Sequence, residues 1–218
     1  MSSSTIAILG NGVVGTTLAK GFTERGDRVV FGSRDTGGEK TRAALAAAPG
    51  STAASHVDAA RRADLAVIAL PWGALKAALT PALADALADK TVIDASNPVD
   101  FSSGQPALAV GFTDSAGETV QRLLPQSRVV KAFNIIAASH MVHPKLPDGE
   151  PDMFIAGDAA EAKAQVAAIL SSFGWRSAID LGGIEQARLL ESLAMLWIRY
   201  GFSNNHWSHG FSLLNRKA

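Results

Sequence analysis

Six residues near the start of the chain have the spacing of a phosphate-binding turn. Gly10-Asn11-Gly12-Val13-Val14-Gly15 matches the pattern G-x-G-x-x-G and directly follows the short apolar run Thr5–Leu9. In such a turn the first glycine permits the tight bend, the second lets a pyrophosphate approach the backbone, and the third lets the helix pack against the strand. Because apolar residues then recur at helical spacing up to Phe22, the segment predicts a strand, a turn and a helix that bind a dinucleotide.

The end of the next predicted strand indicates which dinucleotide is bound. Arg28–Phe31 is followed by Gly32-Ser33-Arg34-Asp35, whereas an NAD site usually has an Asp or Glu at this strand end for the ribose hydroxyls. The hydroxyl of Ser33 beside the guanidinium of Arg34 suits a 2′-phosphate. We therefore expect NADPH rather than NADH. The alternatives are a polar loop with an ordinary surface arginine, and a ribose bound by Asp35.

Further candidate residues follow three later predicted strands. In an open parallel sheet, ligands bind at the carboxyl ends of the strands. We expect Trp72 in Leu70-Pro71-Trp72 to stack on the cofactor or to pack in the core. We expect Asn97 in Asn97-Pro98 to hold the nicotinamide ribose or carboxamide, or only to form a turn. Asn134 follows the next predicted strand in the sequence, and we expect it to point at the same pocket. Asn97 and Asn134 are the candidate catalytic residues.

The sequence offers no strong general acid or metal site. Its single tyrosine is Tyr200, and His140 and His143 have no Asp or Glu at matching spacing, so we expect solvated loop histidines and no metal. Hydride transfer to a flavin or deazaflavin ring needs mainly two rings held face to face. A reductase of a small carbonyl or imine would need a proton donor such as His140 or Tyr200. A non-enzymatic NADPH sensor is the third hypothesis.

Composition narrows the classes of protein. The 218 residues contain 20 Lys+Arg and 20 Asp+Glu, so no electrostatic argument favours a nucleic acid or a membrane partner. The absence of cysteine excludes disulfides, thiol catalysis and Cys-ligated metal sites. No apolar run is long enough to span a bilayer. We expect a cytoplasmic protein whose partner is a small-molecule substrate or a second redox coenzyme.

Strands and helices alternate along the chain, which predicts an α/β fold with a Rossmann-type, doubly wound parallel sheet and a small helical C-terminal subdomain. The predicted division is an NADP-binding domain at 1–145 and a C-terminal subdomain at 146–218. We expect one helix from Gly73 to Ala88, a helix capped by Ser55, and two last helices at 185–200 and 205–214. Residues 98–113 lack periodicity, which is typical of an active-site wall or lid, or of a disordered connector.

With these motifs, the chain resembles the NADP oxidoreductase, coenzyme F420-dependent family. It is also similar to the cytoplasmic reductase domain of the membrane metalloreductases called STEAP proteins. The glycine turn is generic, but three further motifs are moderately specific together. They are Gly32-Ser33-Arg34, Pro71-Trp72, and the C-terminal Arg188-x-x-Glu191, accompanied by Lys131-Ala-Phe-Asn134 and Phe154-Ile-Ala-Gly-Asp158.

The resemblance implies roles for most of these positions. Asn11, Gly12, Val13 and Val14 wrap the pyrophosphate, Ser33 and Arg34 hold the 2′-phosphate, and Trp72 lies by the nicotinamide half with the turn of Asn97, Pro98 and Val99. The implied activity is reversible hydride transfer between NADPH and the deazaflavin F420, in a homodimer. It also implies a structural salt bridge between Arg188 and Glu191.

One departure from the family concerns the acceptor. Deazaflavin-using members have a histidine and then a proline after the strand at Val129–Ala132, where this chain has Asn134 and Ala137. The NADPH half of the family site carries over, and the acceptor half does not. The acceptor is left open between F420, free FMN or FAD, and another compound.

Overall fold

A parallel sheet of six strands forms the centre of the molecule. The computed structural model describes residues 3–214, and the outermost ends of both predicted domains, 1–2 and 215–218, lie outside them. The six strands, numbered in chain order, are β1 (Thr5–Leu9), β2 (Arg28–Gly32), β3 (Thr52–Ala54), β4 (Leu65–Ile68), β5 (Thr91–Asp94) and β8 (Arg128–Lys131). Their spatial order in the sheet is β3-β2-β1-β4-β5-β8. The Rossmann-type fold predicted from the sequence is confirmed.

Helices cover both faces of this sheet. They are α1 (Val13–Glu24), α2 (Glu39–Ala47), α3 (His56–Arg62), α4 (Trp72–Ala78), α5 (Pro81–Ala86), α6 (Ala116–Leu123), α7 (Ala160–Ser172) and α8 (Ala187–Asn204). In β1, Ile6 and Ile8 belong to one hydrophobic cluster, whereas Ala7 and Leu9 belong to a second one on the other face. A strand covered on both faces in this way must be apolar throughout, as the run Thr5–Leu9 is. In the described part of the chain, no helix is long and apolar enough to cross a membrane.

The strand order reverses between β1 and β4. The chain leaves β1, builds outward through β2 and β3, and returns to pair β4 with the other side of β1. The connections therefore diverge at the carboxyl ends of β1 and β4, where a crevice opens above the sheet. The glycine-rich turn and the segment after β4 stand at this crevice.

The C-terminal part packs against the same sheet. Strands β9 (Met153–Ile155) and β10 (Ala178–Asp180) form a parallel pair, and Ala156 makes an antiparallel bridge with Lys131 at the end of β8. Phe173 of this part shares the first hydrophobic cluster with Ile6. The division between 145 and 146 stays a prediction.

Two predicted helices differ from the structure. The single helix expected over Gly73 to Ala88 is wrong, because it is interrupted between α4 and α5, where Thr80 is extended at ψ 160° and its hydroxyl accepts from the backbone N–H of Leu83. Pro81 causes the break, since the residue before a proline is disfavoured in the helical region and proline suits the first helical position. The N-cap predicted at Ser55 is confirmed, because its hydroxyl accepts from the N–H of Asp58 at 3.1 Å.

The last predicted helix, at 205–214, is also wrong. Asn205 adopts the left-handed conformation (φ 45°) and ends α8, and the chain beyond it is irregular up to residue 214. The segment turns back along α8, where Trp197 donates its indole N–H to the carbonyl of His209 at 2.9 Å. Aromatic packing between Trp197 and Trp207 (ring centroids 5.4 Å apart) thus replaces a further helical turn.

Residues 98–113 contain a short hairpin rather than only irregular chain. Strands β6 (Val99–Asp100) and β7 (Ala107–Leu108) pair in antiparallel fashion directly after the turn that carries Asn97. The hairpin reaches α8, where Arg199 donates to the side chain of Gln105 at 2.9 Å. Its role as a wall or lid of the site stays a prediction.

Candidate functional site

The glycine-rich turn has the geometry that a pyrophosphate requires. Gly10 has φ +123°, and a Cβ there would collide with the backbone carbonyl of Ala69, so this position needs glycine. A Cβ on Gly15 would collide with the carbonyl of Gly10, which shows how closely α1 packs on the turn. At Gly12, by contrast, a Cβ would meet nothing within 4 Å. The N-terminus of α1 thus faces open space over Gly12, where an anion can approach the unpaired N–H groups of the first turn.

A cavity of about 810 Å³ lies in front of this turn. Its walls come from the carboxyl ends of β1, β2 and β4 and from the N-terminal part of α2 and α3. Residues of six segments line it: Gly10, Asn11 and Gly12; Ser33, Arg34 and Asp35; Lys40 and Thr41 of α2; His56 of α3; Leu70 and Pro71; and Ala74, Ala77 and Ala78 of α4. The structure therefore brings the glycine turn, the Ser-Arg pair and the end of β4 together around one space, which is large enough for a nucleotide.

Ser33 is held in place by a hydroxyl and amide network. Its hydroxyl lies 3.0 Å from that of Thr41, and the side-chain amide of Asn11 donates to Thr41 at 2.8 Å. Thr41 in turn donates to the carbonyl of Asp35 at 2.6 Å. This network joins the glycine turn to the β2 end and fixes the Ser33 hydroxyl beside the exposed side chain of Arg34. Thr41 was missed by the sequence analysis because it comes from α2, eight residues after Ser33.

A histidine also faces the arginine in this cavity. His56 begins α3 and is half-buried. Burial lowers the pKa of the His56 imidazole below its usual range, and the positive charge of Arg34 lowers it further. A negative charge that offsets the field of Arg34 would therefore raise the pKa of the His56 imidazole again.

Asn97 and Asn134 meet at the carboxyl ends of β5 and β8. The Asn97 side-chain amide donates to the backbone carbonyl of Asn134 at 2.7 Å, and the Asn134 amide donates to Oδ1 of Asn97 at 3.1 Å. Asn134 also donates to the carbonyl of Leu190 on α8 at 3.1 Å. Its Oδ1 atom is buried and has no hydrogen-bond partner among residues 3–214. A buried orphan acceptor is costly without a ligand.

The backbone before Asn134 is strained. Phe133 is fully buried and has φ +65°, a conformation that a bulky side chain rarely adopts. This residue redirects the chain at the end of β8, so that Asn134 turns toward Asn97 and α8. Strain of this kind persists only where the surroundings determine the conformation, and it is concentrated at functional sites.

The other predicted residues surround these two groups. Val13 and Val14 form the first turn of α1 with Gly15, and Pro98 and Val99 lead from Asn97 into the hairpin. Trp72 begins α4 and packs on the second hydrophobic cluster, so among the described residues the cavity is lined by its neighbours Leu70 and Pro71 rather than by its ring.

The sequence analysis missed a buried charge cluster behind Asn97. The ammonium group of Lys131 lies 3.0 Å from Oδ2 of Asp94 and 2.8 Å from Oε1 of Glu191, and Lys131 and Asp94 are fully buried. Glu191 also accepts from the backbone N–H groups of Ala116 and Gly117 at the start of α6. Burial alone would lower the pKa of Lys131, but the carboxylates of Asp94 and Glu191 outweigh it and raise the pKa above its usual range. A lysine inside the apolar run Val129–Ala132 was the only sequence signal.

The salt bridge predicted between Arg188 and Glu191 is wrong. Glu191 points into the core toward Lys131, whereas Arg188 donates to Glu118 on α6 at 2.8 Å. Spacing on one helix made the local pair plausible, but each partner finds a better acceptor or donor on another element. The two contacts fasten the same stretch of α8 to the sheet and to α6.

Among residues 3–214, neither candidate proton donor, His140 or Tyr200, makes a hydrogen bond with Asn134. Tyr200 is ten residues beyond Leu190 on α8, about 15 Å along the helix axis from the carbonyl that Asn134 contacts. His140 lies 2.9 Å from the hydroxyl of Ser208 in the C-terminal segment. His143 is exposed and lies 3.2 Å from Glu24. In the described structure, the residues at the predicted nicotinamide end therefore provide amide groups rather than an acid.

The fold and the cavity together define a Rossmann-type dinucleotide-binding protein, and comparison with known proteins narrows this class. The model of the family named NADP oxidoreductase, coenzyme F420-dependent, matches residues 5–98. An F420-dependent NADP reductase of Methanothermobacter thermautotrophicus is 31% identical over 96% of this chain and 94% of its own length. The metalloreductase STEAP3 of Rattus norvegicus is 34% identical over 52% of this chain and 22% of its own length.

Solved structures agree with this. A candidate F420-dependent NADP reductase from Arthrobacter sp. FB24 superimposes with a TM-score of 0.91 and 37% identity, over 98% of this chain and all of the other. An imine reductase from Streptomyces aurantiacus gives a TM-score of 0.64 at 19% identity, over 92% of this chain and 63% of the other, which shows the fold alone. The chain belongs to the NADP oxidoreductase, coenzyme F420-dependent family, as its motifs predict.

Proposed function

We propose that the protein transfers hydride between NADP(H) and a deazaflavin of the F420 type. The observation that carries this proposal is the shared cavity, in which the Ser33–Arg34 pair stands beside an open glycine turn. That arrangement favours a dinucleotide with a 2′-phosphate. Relatives named F420-dependent NADP reductase, which match nearly the whole chain, support the deazaflavin as second substrate.

Two groups of residues fit NADP(H): those that line the cavity beside the glycine turn, and the Asn97–Asn134 pair at the ends of β5 and β8, which does not line that cavity. The space over Gly12 has room for a pyrophosphate, and Ser33 and Arg34 can donate to a 2′-phosphate. We assign the buried, unpartnered Oδ1 of Asn134 to the nicotinamide carboxamide, with Asn97 holding the Asn134 side chain in place. Val13, Val14, Pro98, Val99 and Trp72 keep the roles that the family resemblance implies.

The chemistry then requires little of the protein beyond positioning. When bound, NADPH supplies the hydride. Asn97 and Asn134 orient the reacting half by hydrogen bonds. No side chain has to donate a proton at the reacting carbon, because a deazaflavin ring delocalises the charge that it gains. The distance of Tyr200 from Asn134 disfavours the alternative, a carbonyl or imine reductase with that residue as acid.

Anaerobic oxidation of NADPH tests the proposal. We expect turnover with F420 that exceeds turnover with free FMN or FAD. Turnover with FMN or FAD alone would move the protein to the flavin reductases, and it would show that Asn134 and Ala137 no longer build a deazaflavin site. NADPH that binds tightly but is oxidised by none of the three would contradict the proposed reaction and favour a sensor. A carbonyl or imine reductase would instead show a rate profile with a pKa that one His or Tyr variant abolishes.

We further propose a cytoplasmic homodimer. Leu189, Leu196 and Tyr200 are half or more exposed on one side of α8, which supports contact with a second copy. Light scattering after size-exclusion chromatography should give twice the chain mass, and Leu196→Glu should give the monomer mass. The matched variant Gln165→Glu, which is exposed on α7 and lies outside this face of α8, controls for the added charge. A monomer mass for the unmodified chain would contradict the dimer.

A further inference from the structure

Ser96, directly before Asn97, is held from inside the core at both of its backbone groups. Its carbonyl accepts from the ammonium group of Lys131 at 2.6 Å, and its N–H donates to Oδ1 of Asp94 at 3.0 Å. A turn after a strand end normally finds such partners in water or in its own loop. Here a fully buried lysine and a fully buried aspartate supply them.

The same lysine connects this turn to α8. Glu191 contacts Lys131 at 2.8 Å, and Leu190, the residue before it, accepts from the side chain of Asn134 at 3.1 Å. Asn97 follows the turn residue Ser96 that Lys131 holds, and Asn134 is bonded to α8, which Lys131 also contacts through Glu191. Neither contact involves the Ser33–Arg34 end of the cavity.

Stability alone is a weak reason for such a cluster. Burying charges costs several kcal/mol per ion, and replacement of a buried ion pair by apolar residues is often neutral or stabilising. In the described structure no atom of Lys131 reaches solvent, so the side chain cannot touch a substrate. Its contacts point instead to the shape of the turn.

We propose that Lys131 is a positioning residue for the nicotinamide half of the site, acting through the carbonyl of Ser96 on Asn97 and through Asn97 on Asn134. This inference rests on the proposed binding of NADP(H). It predicts that the turn is fixed before the cofactor arrives, so that Asn134 Oδ1 is preoriented.

The test separates the two halves of the cofactor. Lys131→Met alone would leave two buried carboxylates without their cation, so the variant is Lys131→Met/Asp94→Asn, which keeps the formal charge of the cluster. The ligands are NADP+ and 2′,5′-ADP, which has the 2′-phosphate but no nicotinamide. Val166→Ala, in the core on α7, is the control for lost stability.

Calorimetry and single-turnover kinetics give the readout. In the double variant we expect the Kd of NADP+ to rise about tenfold, the equivalent of one buried hydrogen bond, and the Kd of 2′,5′-ADP to stay within about twofold. The hydride-transfer rate with saturating NADPH should fall by a similar factor or more. The control Val166→Ala should keep the unmodified ratio of the two Kd values. Equal loss for both ligands, or no change in either, would overturn the proposal.

Hydrogen exchange of the unmodified protein tests the same inference without a variant. The amides of residues 93–99 should be protected before NADP+ is added and should gain little on binding. Exchange that is fast in the free protein and slow in the complex would overturn the proposal even if the double variant fails to fold. If the unmodified protein binds 2′,5′-ADP no better than 5′-AMP, which lacks only the 2′-phosphate, the proposed function fails instead, and this exchange measurement still decides the role of the turn.

Discussion

Replacement of Arg34 should separate NADPH from NADH. Arg34 is exposed at the edge of the cavity beside the buried Ser33 hydroxyl. A charge-assisted hydrogen bond to a phosphate contributes about 1.5–3 kcal/mol, and the lower end applies to an exposed group. Arg34→Gln should then raise the KM for NADPH about tenfold. Arg34→Glu adds repulsion between a carboxylate and a phosphate of nearly two charges, about another 1.5 kcal/mol at 5 Å in water, so the total is about a hundredfold.

The assay compares the two nicotinamide cofactors with one acceptor. The KM for NADH should change less than about threefold in both variants, because the 2′-hydroxyl of NADH presents no charge to the arginine. Lys20→Glu, on an exposed position of α1, makes the same change in net charge as Arg34→Glu and should leave both constants unchanged. Equal increases for NADPH and NADH, or an unchanged preference in Arg34→Glu, would refute the assignment of Arg34 to the 2′-phosphate.

Three other perturbations address separate parts of the structure. Asn134→Ala should slow hydride transfer by about one to two orders of magnitude at saturating NADPH, measured by stopped flow, while the Kd of 2′,5′-ADP stays unchanged. Burial and the charge of Arg34 lower the pKa of the His56 imidazole in the free protein. Because a bound 2′-phosphate offsets the charge of Arg34, NADP+ binding near pH 6 should raise this pKa and take up protons at His56. Calorimetry in two buffers should show this uptake, and His56→Gln should lack it. Arg188 holds the pKa of Glu118 in the folded protein below its usual range. The Glu118 carboxylate therefore makes its whole contribution to the free energy of unfolding above its pKa in the unfolded chain, and this contribution is lost as the pH falls through its pKa in the folded protein. Glu118→Gln should therefore lower the free energy of unfolding at pH 6, and urea titrations should show this deficit shrinking below about pH 4.

The dinucleotide end of the site was predictable because its signals are local. The apolar run Thr5–Leu9, the glycine turn and Gly32-Ser33-Arg34 each belong to one continuous segment, and the known geometry of parallel sheets places the segments together. The break at Thr80–Pro81 was also readable, since proline both ends one helix and begins the next. The single helix predicted over Gly73 to Ala88 did not take this proline into account.

The nicotinamide end could be predicted only in part. Asn97 and Asn134 were placed correctly at neighbouring strand ends, but nothing in the sequence shows that their amides pair with each other. The partners of Lys131 lie 37 residues before it and 60 residues after it. Partners so distant in sequence cannot be found from local spacing. Spacing on one helix suggested the local pair of Arg188 and Glu191, whereas in the fold Glu191 pairs with Lys131 and Arg188 pairs with Glu118.

The position of α8 explains how the proposed NADPH half of the site can match the family motifs while the proposed acceptor half departs from them. The Ser33–Arg34 end is built from the glycine turn, β2, α2 and α3, whereas Asn134 is held by the carbonyl of Leu190 on α8. The departures from the deazaflavin pattern, Asn134 and Ala137, fall on the segment that faces α8 and the C-terminal residues. Substitutions there can change the acceptor without touching any contact of Ser33 or Arg34, the proposed 2′-phosphate ligands. Acceptor preference and NADPH preference should therefore vary independently, so that Arg34 variants keep the order of F420 over FMN while changes at Asn134 keep that of NADPH over NADH.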